Sequence, residues 1–248
     1  MMDMNNQPGV DIMGIRDNFQ RVKKRIEIAA KIAGRANENI QLVVVTKTHP
    51  CEVLQAVIEA GATDLGENYV EEAIPKIEAL RKFTGICWHM IGHLQSRKAL
   101  PVCEYFHTLH SLDSRKLAER LSRFSIERSR RLPVYLEFNV AGEESKSGWD
   151  ISSDEKWPQL LPELEAITGF PGLDFLGLMT IPPYSIDPEA SRQYYRKLRK
   201  FQEYLVSQLR LSGFQALSMG MSVDFEVAIQ EGSTCVRIGQ AILGPRTK

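Results

Sequence analysis

The chain has 248 residues with 31 Lys or Arg and 31 Asp or Glu, so its formal charge is zero and nothing pulls it globally toward nucleic acid or a membrane surface. A content of 43% hydrophobic and 25% charged residues is that of a globular protein able to bury a core without metals or crosslinks. The cysteines, Cys51, Cys87, Cys103 and Cys235, form no CxxC pair, residues 1–13 carry no secretion signal, and no run approaches the roughly 18 apolar residues of a membrane span, so a reducing cytoplasm is expected.

Residues 1–10, with Pro8 and Gly9, read as a flexible N-terminus, and 11–248 as one domain. Ile12, Ile15, Phe19, Val22 and Ile26 recur at helical spacing up to a stop at Gly34. Residues 40–49, IQLVVVTKTH, hold a first strand that ends at Lys47. Pro50 opens a helix bearing Val53, Leu54, Val57 and Ile58, and Gly61 closes it. The stretch 64–68, DLGEN, reads as a second strand, followed by a helix over 70–80 that Pro75 interrupts or resets.

A third strand spans 86–91, with a short helix over 94–100 before Pro101. The fourth strand is placed at 105–110, and Asp113 or Ser114 caps a helix carrying Leu117, Leu121 and Phe124. Further strands fall at 133–140, 173–180, 216–219 and 234–238, with helices over 153–167, from 188 onward and over 223–231. The long helix from 188 is expected to present Tyr194, Leu198, Phe201, Leu205 and Leu209 on one side. Eight strands alternating with helices predict an α/β fold, a single (β/α)8 TIM barrel with an extra N-terminal helix. No Gly-rich dinucleotide fingerprint follows any strand, which disfavours an open doubly wound sheet.

Barrel chemistry gathers at the C-terminal ends of the strands. Those ends offer Lys47, Glu67 with Asn68, His93, Ser111, Asn139, Thr180, Ser218, and Arg237 with Gly239. Lys47 has two readings: an amine that snorkels from a strand end, or one desolvated enough to attack a carbonyl. The stretch SMGMS, from Ser218 to Ser222, and the pair Gly239 and Gln240 open consecutive strand-to-helix turns, where barrels frequently hold a phosphate. The plainer alternative is that Ser222 caps only its own helix. Arg237 interrupts an apolar strand, CVRIG, and a buried guanidinium needs a carboxylate or a ligand atom. Together these groups suit an aldehyde that carries a phosphate and a heteroaromatic nitrogen, as pyridoxal phosphate does.

The stretches VVVTKTHP, GENYVEEA, WHMIGHLQSRK, HSLDSRKLAERL, NVAGEESKSG, GLMTIPPY and LSMGMSVDFEVAIQEGSTCVRIGQAILGPR, in order from Leu42 to Arg246, resemble the pyridoxal phosphate homeostasis protein family. The resemblance implies a barrel like that of alanine racemase, with Lys47 as the internal aldimine lysine. It also implies phosphate contacts from the Ser222 and Gly239 regions, and Arg237 facing the pyridine nitrogen. The expected cofactor-binding set is Lys47, Asn68, Ser218, Ser222, Arg237, Gly239 and Gln240, with no metal. Two departures from the family pattern are Arg97, where Asn is frequent, and Gln240, where Thr or Ser is common and would add a hydroxyl.

A guanidinium beside the ring nitrogen disfavours its protonation and weakens the cofactor as an electron sink. Racemisation also needs a second base, which alanine racemase takes from a separate β-domain; the chain ends at Lys248, leaving no room for one. The expectation is therefore pyridoxal phosphate binding and intracellular homeostasis without robust amino-acid turnover, with apo forms of pyridoxal phosphate enzymes as candidate partners. The alternative is a small amino-acid racemase with Tyr69 or His93 as second base. His89 and His93 flank a strand end with no third ligand nearby and are not read as a metal pair. Arg128, Arg130 and Arg131 suit the end of a helix rather than a nucleic-acid patch.

Overall fold

The structure is a computed structural model that describes residues 12–36 and 38–244; the N-terminal segment 1–10 lies outside the described residues. Its strands are β1 (Gln41–Val45), β2 (Asp64–Glu67), β3 (Cys87–Met90), β4 (Thr108–Leu112), β5 (Leu132–Asn139), β6 (Trp149–Asp150), β7 (Leu173–Met179), β8 (Ala216–Ser218) and β9 (Cys235–Ile238). Its helices are α1 (Ile12–Ile32), α2 (Cys51–Glu59), α3 (Val70–Ala79), α4 (Ala99–Tyr105), α5 (Arg115–Glu127), α6 (Trp157–Thr168), α7 (Arg192–Leu209), α8 (Phe225–Gln230) and α9 (Gln240–Leu243).

Every strand pairing is parallel. The ring runs β1-β2-β3-β4-β5-β7-β8-β9 and closes where β9 pairs with β1, while β6 hangs on β5 outside it. This is a closed eight-stranded barrel wrapped by helices, with α1 packed across α2, α8 and α9. Strands buried on both faces explain the apolar runs: Val43 and Val44 have no exposed surface, and each such side chain contributes about 1.5–3 kcal/mol. In α1 the stripe Ile15, Phe19, Val22 and Ile26 is buried as its spacing requires, whereas Ile12 is exposed.

Five local expectations need correction. The first strand stops at Val45, two residues before Lys47, which sits in a turn with Thr48 at φ 66°. The fourth strand is Thr108–Leu112, because α4 continues through Tyr105. Pro101 lies in the first turn of α4, where an amide hydrogen has no intrahelical acceptor, so it opens that helix instead of ending one. Pro75 leaves α3 unbroken, since the carbonyl that loses its donor belongs to the exposed Glu71 near the helix start. On α7 it is Tyr195, not Tyr194, that joins Leu198, Phe201 and Leu205 in the core.

Candidate functional site

The turn that carries Lys47 is clamped from both sides. The Thr46 amide donates to Gly66 O at 2.9 Å, and Thr46 Oγ1 donates to Glu67 Oε1 at 2.6 Å. Lys76 Nζ, reaching up from α3, donates to Glu67 Oε1 at 2.9 Å, to Thr46 O at 3.1 Å and to Glu72 Oε1 at 2.5 Å. The Thr48 amide donates to the same Glu72 oxygen. Burial pushes the Glu67 carboxyl up from its ordinary value, against Thr46 and Lys76, and its Oε2 has no partner among the described residues. The sequence showed none of this, because no spacing rule links a glutamate on a strand to a lysine nine residues later.

Three hollows meet at Val45 and Lys47. One, of about 310 Å³, also takes Asn68, Gly92, His93, Glu137, Asn139, Lys146 and Arg237. A second, of about 380 Å³, is lined by His49, Gly239, Gln240 and Gly244. The third, of about 200 Å³, adds Tyr184, Met221, Ser222, Asp224, Arg237, Gly239 and Gln240. Six of the seven expected residues thus face space shared with Lys47. Gly92 makes the approach of β2 and β3 possible, since a Cβ there would stand 2.5 Å from Asn68 O. A larger recess of about 590 Å³ lies at the opposite end, between α1 and the starts of β1 and β2, away from every strand C-terminus.

Ser218 is the seventh residue, and it lines none of these hollows. Its hydroxyl is fully buried and serves Arg237, whose Nη1 donates to Ser218 Oγ and Ser218 O, both at 2.6 Å, while Nη2 donates to Thr180 O at 2.8 Å. These bonds use three of the five N–H donors of the guanidinium, on a residue that lines two of the three hollows. Arg237 is only 4% exposed; burial lowers its pKa, against Glu137 and Asp224, but a guanidinium remains charged. Beyond Ser218 the bonding continues to His110 Nδ1 at 2.8 Å, from His110 Nε2 to His89 Nδ1 at 2.9 Å, and from His89 Nε2 to Asp64 Oδ1 at 3.0 Å.

At the loops after β8 and β9, Ser222 does not cap α8. Asp224 occupies the N-cap position without a side-chain cap bond, its Oδ1 accepting instead from the Met221 amide ahead of the helix, and Ser222 Oγ accepts from the Ala241 amide of α9 at 3.3 Å. The two turns are therefore tied together beside Gly239 and Gln240. Gly220 allows the tight path, at φ 98°, where a Cβ would meet Ala228 Cβ at 2.6 Å.

The loop after β5 folds over the same mouth. Asn139 Nδ2 holds Glu143 O at 2.8 Å, and Lys146 Nζ donates to Ile181 O at 3.1 Å and Pro182 O at 2.8 Å beyond β7. His93 Nδ1 lies 2.9 Å from Asp113 Oδ2 and 3.1 Å from Ser147 Oγ. Glu137, overlooked in the sequence, shares its inward face with Asn139 two residues on. Burial and the nearby Asp113 push it up to about 7 against Arg237 and Lys146, and its Oε2 has no partner among the described residues.

Other flagged residues go elsewhere. His89 turns into the barrel and His93 toward Asp113, so they do not converge. Tyr69 is exposed beside α3 and lines none of the three hollows. Arg97 bonds Gln95 at the surface. Arg130 and Arg131 satisfy the carbonyls of Cys103, Phe106 and Leu173. No helix of the described residues is long and apolar enough to cross a membrane.

The barrel, with a lysine in the turn after its first strand and an arginine on its last, defines the class: residues 10–247 match the family model for the alanine racemase N-terminal domain. An alanine racemase from Clostridium difficile shares this fold with a TM-score of 0.69 at 14% identity, over 92% of this chain and 58% of that one. Nearer relatives include the pyridoxal phosphate homeostasis protein of Pseudomonas aeruginosa, 41% identical over 94% of this chain and 96% of that protein. The protein of that name from Aquifex aeolicus is 39% identical over 94% and 99%. The structure of PipY from Synechococcus elongatus with pyridoxal phosphate bound superposes with a TM-score of 0.80 at 30% identity, over 93% and 100%. The chain belongs to the alanine racemase N-terminal domain family and, with these relatives, to the pyridoxal phosphate homeostasis proteins.

Proposed function

We propose that this protein binds pyridoxal 5'-phosphate through a covalent link from Lys47 Nζ and serves intracellular homeostasis of that cofactor without robust amino-acid turnover. The observation that carries the reading is the meeting of three hollows at Lys47, two of them also lined by Arg237, whose bonds to Ser218 and Thr180 use three of its five N–H donors. Relatives named for pyridoxal phosphate homeostasis, and PipY with that cofactor bound, support the choice of ligand.

The residues divide the work by chemistry. Lys47 supplies the amine for the aldehyde carbon, and the clamp of Thr46, Glu67 and Lys76 holds its backbone in place. Ser222, Gly239 and Gln240 form the wall suited to the phosphate. Arg237 offers donors to a ring nitrogen that keeps its lone pair, and its fixed positive charge opposes protonation there. Bound pyridoxal phosphate supplies an electron sink, strongest when its ring nitrogen is protonated. Arg237 therefore favours holding the cofactor over carbanion chemistry.

Purified protein mixed with pyridoxal phosphate should develop a new visible absorbance, and borohydride should fix the cofactor on Lys47 as a mass increment. Lys47→Ala should lose both. A protein whose spectrum ignores added cofactor would refute the binding reading. Epimerisation of an amino acid at ordinary enzymatic rates, abolished by Lys47→Ala, would replace homeostasis with the racemase alternative. If apo forms of pyridoxal phosphate enzymes are partners, adding one should withdraw the cofactor faster than it dissociates alone.

A further inference from the structure

The buried polar groups from Arg237 to Asp64 form one continuous chain through the barrel, from its mouth to its foot. Four links of 2.6, 2.8, 2.9 and 3.0 Å join Arg237, Ser218, His110, His89 and Asp64. The three middle members are at most 2% exposed. Asp64, at the start of β2, is partly exposed and lines the recess at the foot.

The ends of the chain set its direction. A guanidinium only donates and a carboxylate only accepts. Asp64 also receives Gln41 Nε2 at 2.8 Å and Thr63 Oγ1 at 2.7 Å, so it meets three donors as an ionised group would. Ser218 Oγ accepts from Arg237 and passes its own hydrogen to His110 Nδ1. A neutral His110 then carries its proton on Nε2 and donates to His89 Nδ1, and His89 Nε2–H donates to Asp64. Reversing the chain requires a protonated His89, which would place a second cation in the buried interior that already holds Arg237. The other groups around the chain are Tyr135, stacked on His110 with ring centroids 4.5 Å apart, Cys235 on the Arg237 strand, and Glu137 and Asp224 near the guanidinium.

The geometry points to Asp64 as a positioning residue for the cavity at the far end of the barrel. Through His89, His110 and Ser218 it balances the Arg237 charge and holds Ser218 Oγ as an acceptor, so that Arg237 keeps Nε–H and one Nη2–H directed to a ligand atom. Only the identity of that ligand atom, the pyridoxal phosphate nitrogen, rests on the proposed function. The chain itself belongs to the folded protein with or without cofactor.

Two measurements test this. In cofactor-free protein labelled with ¹⁵N-histidine, two-bond ¹H–¹⁵N correlations at neutral pH should show His89 and His110 neutral with the proton on Nε2. A His110 proton on Nδ1, or a charged His89, would overturn the proposal whether or not the protein binds pyridoxal phosphate. In cofactor-loaded protein, Asp64→Asn removes a negative charge while keeping a hydrogen-bond acceptor. It should lower the pH midpoint of the bound chromophore by about half a unit, the scale of one charge acting across a protein interior. With the chain cut by His89→Leu, the same Asp64→Asn change should move the midpoint by less than half as much. An equal shift in both backgrounds, or none in either, would refute transmission through the hydrogen bonds. A wild-type protein that never takes up the cofactor would refute the proposed function, while the histidine spectra would still decide the chain.

Discussion

Replacing Lys76 with Met tests the support beneath the Lys47 turn. Lys76 and Glu67 are 8% and 0% exposed at the side chain, and Nζ donates to Glu67, Thr46 O and Glu72. Met keeps most of the volume and removes the charge, leaving the Glu67 carboxyl buried with only Thr46 Oγ1 as donor. Breaking a buried pair from one side costs about 3–5 kcal/mol, because the remaining charge is uncompensated. Glu67→Gln should cost less, about 1–2 kcal/mol, and Lys76→Met in that background should add less than half its cost in the parent. Urea denaturation followed by tryptophan fluorescence measures all four corners of the cycle. The pH dependence supplies a second check. A carboxyl whose folded pKa is raised binds its proton more tightly when folded, so stability falls as pH rises from the unfolded value through the folded one. The Lys76→Met variant, with Glu67 raised further, should be less destabilised at pH 5 than at pH 8. Additive costs in the cycle, or a variant equally destabilised at both pH values, would refute the account of the clamp.

Glu137 gives a similar sign with a defined window. Its carboxyl is held at about 7, so cofactor-free protein should lose roughly 3 kcal/mol of stability between pH 4.5 and 7 from this group. Glu137→Gln should flatten that slope in denaturation curves taken across the window. Gly92→Ala places a Cβ against Asn68 O, and the strain should cost about 1–3 kcal/mol in urea and weaken cofactor binding measured by absorbance titration. Arg237→Lys keeps the charge but loses the fork that bonds Ser218 and Thr180 together, and cofactor affinity should fall at least tenfold in the same titration.

The alternation of strands and helices, the leading helix and the residues around Lys47 were legible in the linear chain. Apolar runs such as Leu42 to Val45 can be satisfied only in a sheet buried on both faces, and strand ends mark a barrel mouth whatever the register. Element boundaries were less legible where proline has two meanings: Pro101 opens α4 because its missing amide hydrogen has no intrahelical acceptor there. What each polar group bonds to was decided by closure of the barrel. Closure brings Ser218 to Arg237 rather than to the cavity, ties Ser222 to α9, and sets Glu67 on Lys76. It also lines up Asp64, His89 and His110 from β2, β3 and β4 on the inner face. Periodicity reports which face a side chain takes, not its neighbour across the ring. Those neighbours depend on strand register and on the length of each side chain reaching into the barrel, and both exist only once β9 has closed on β1.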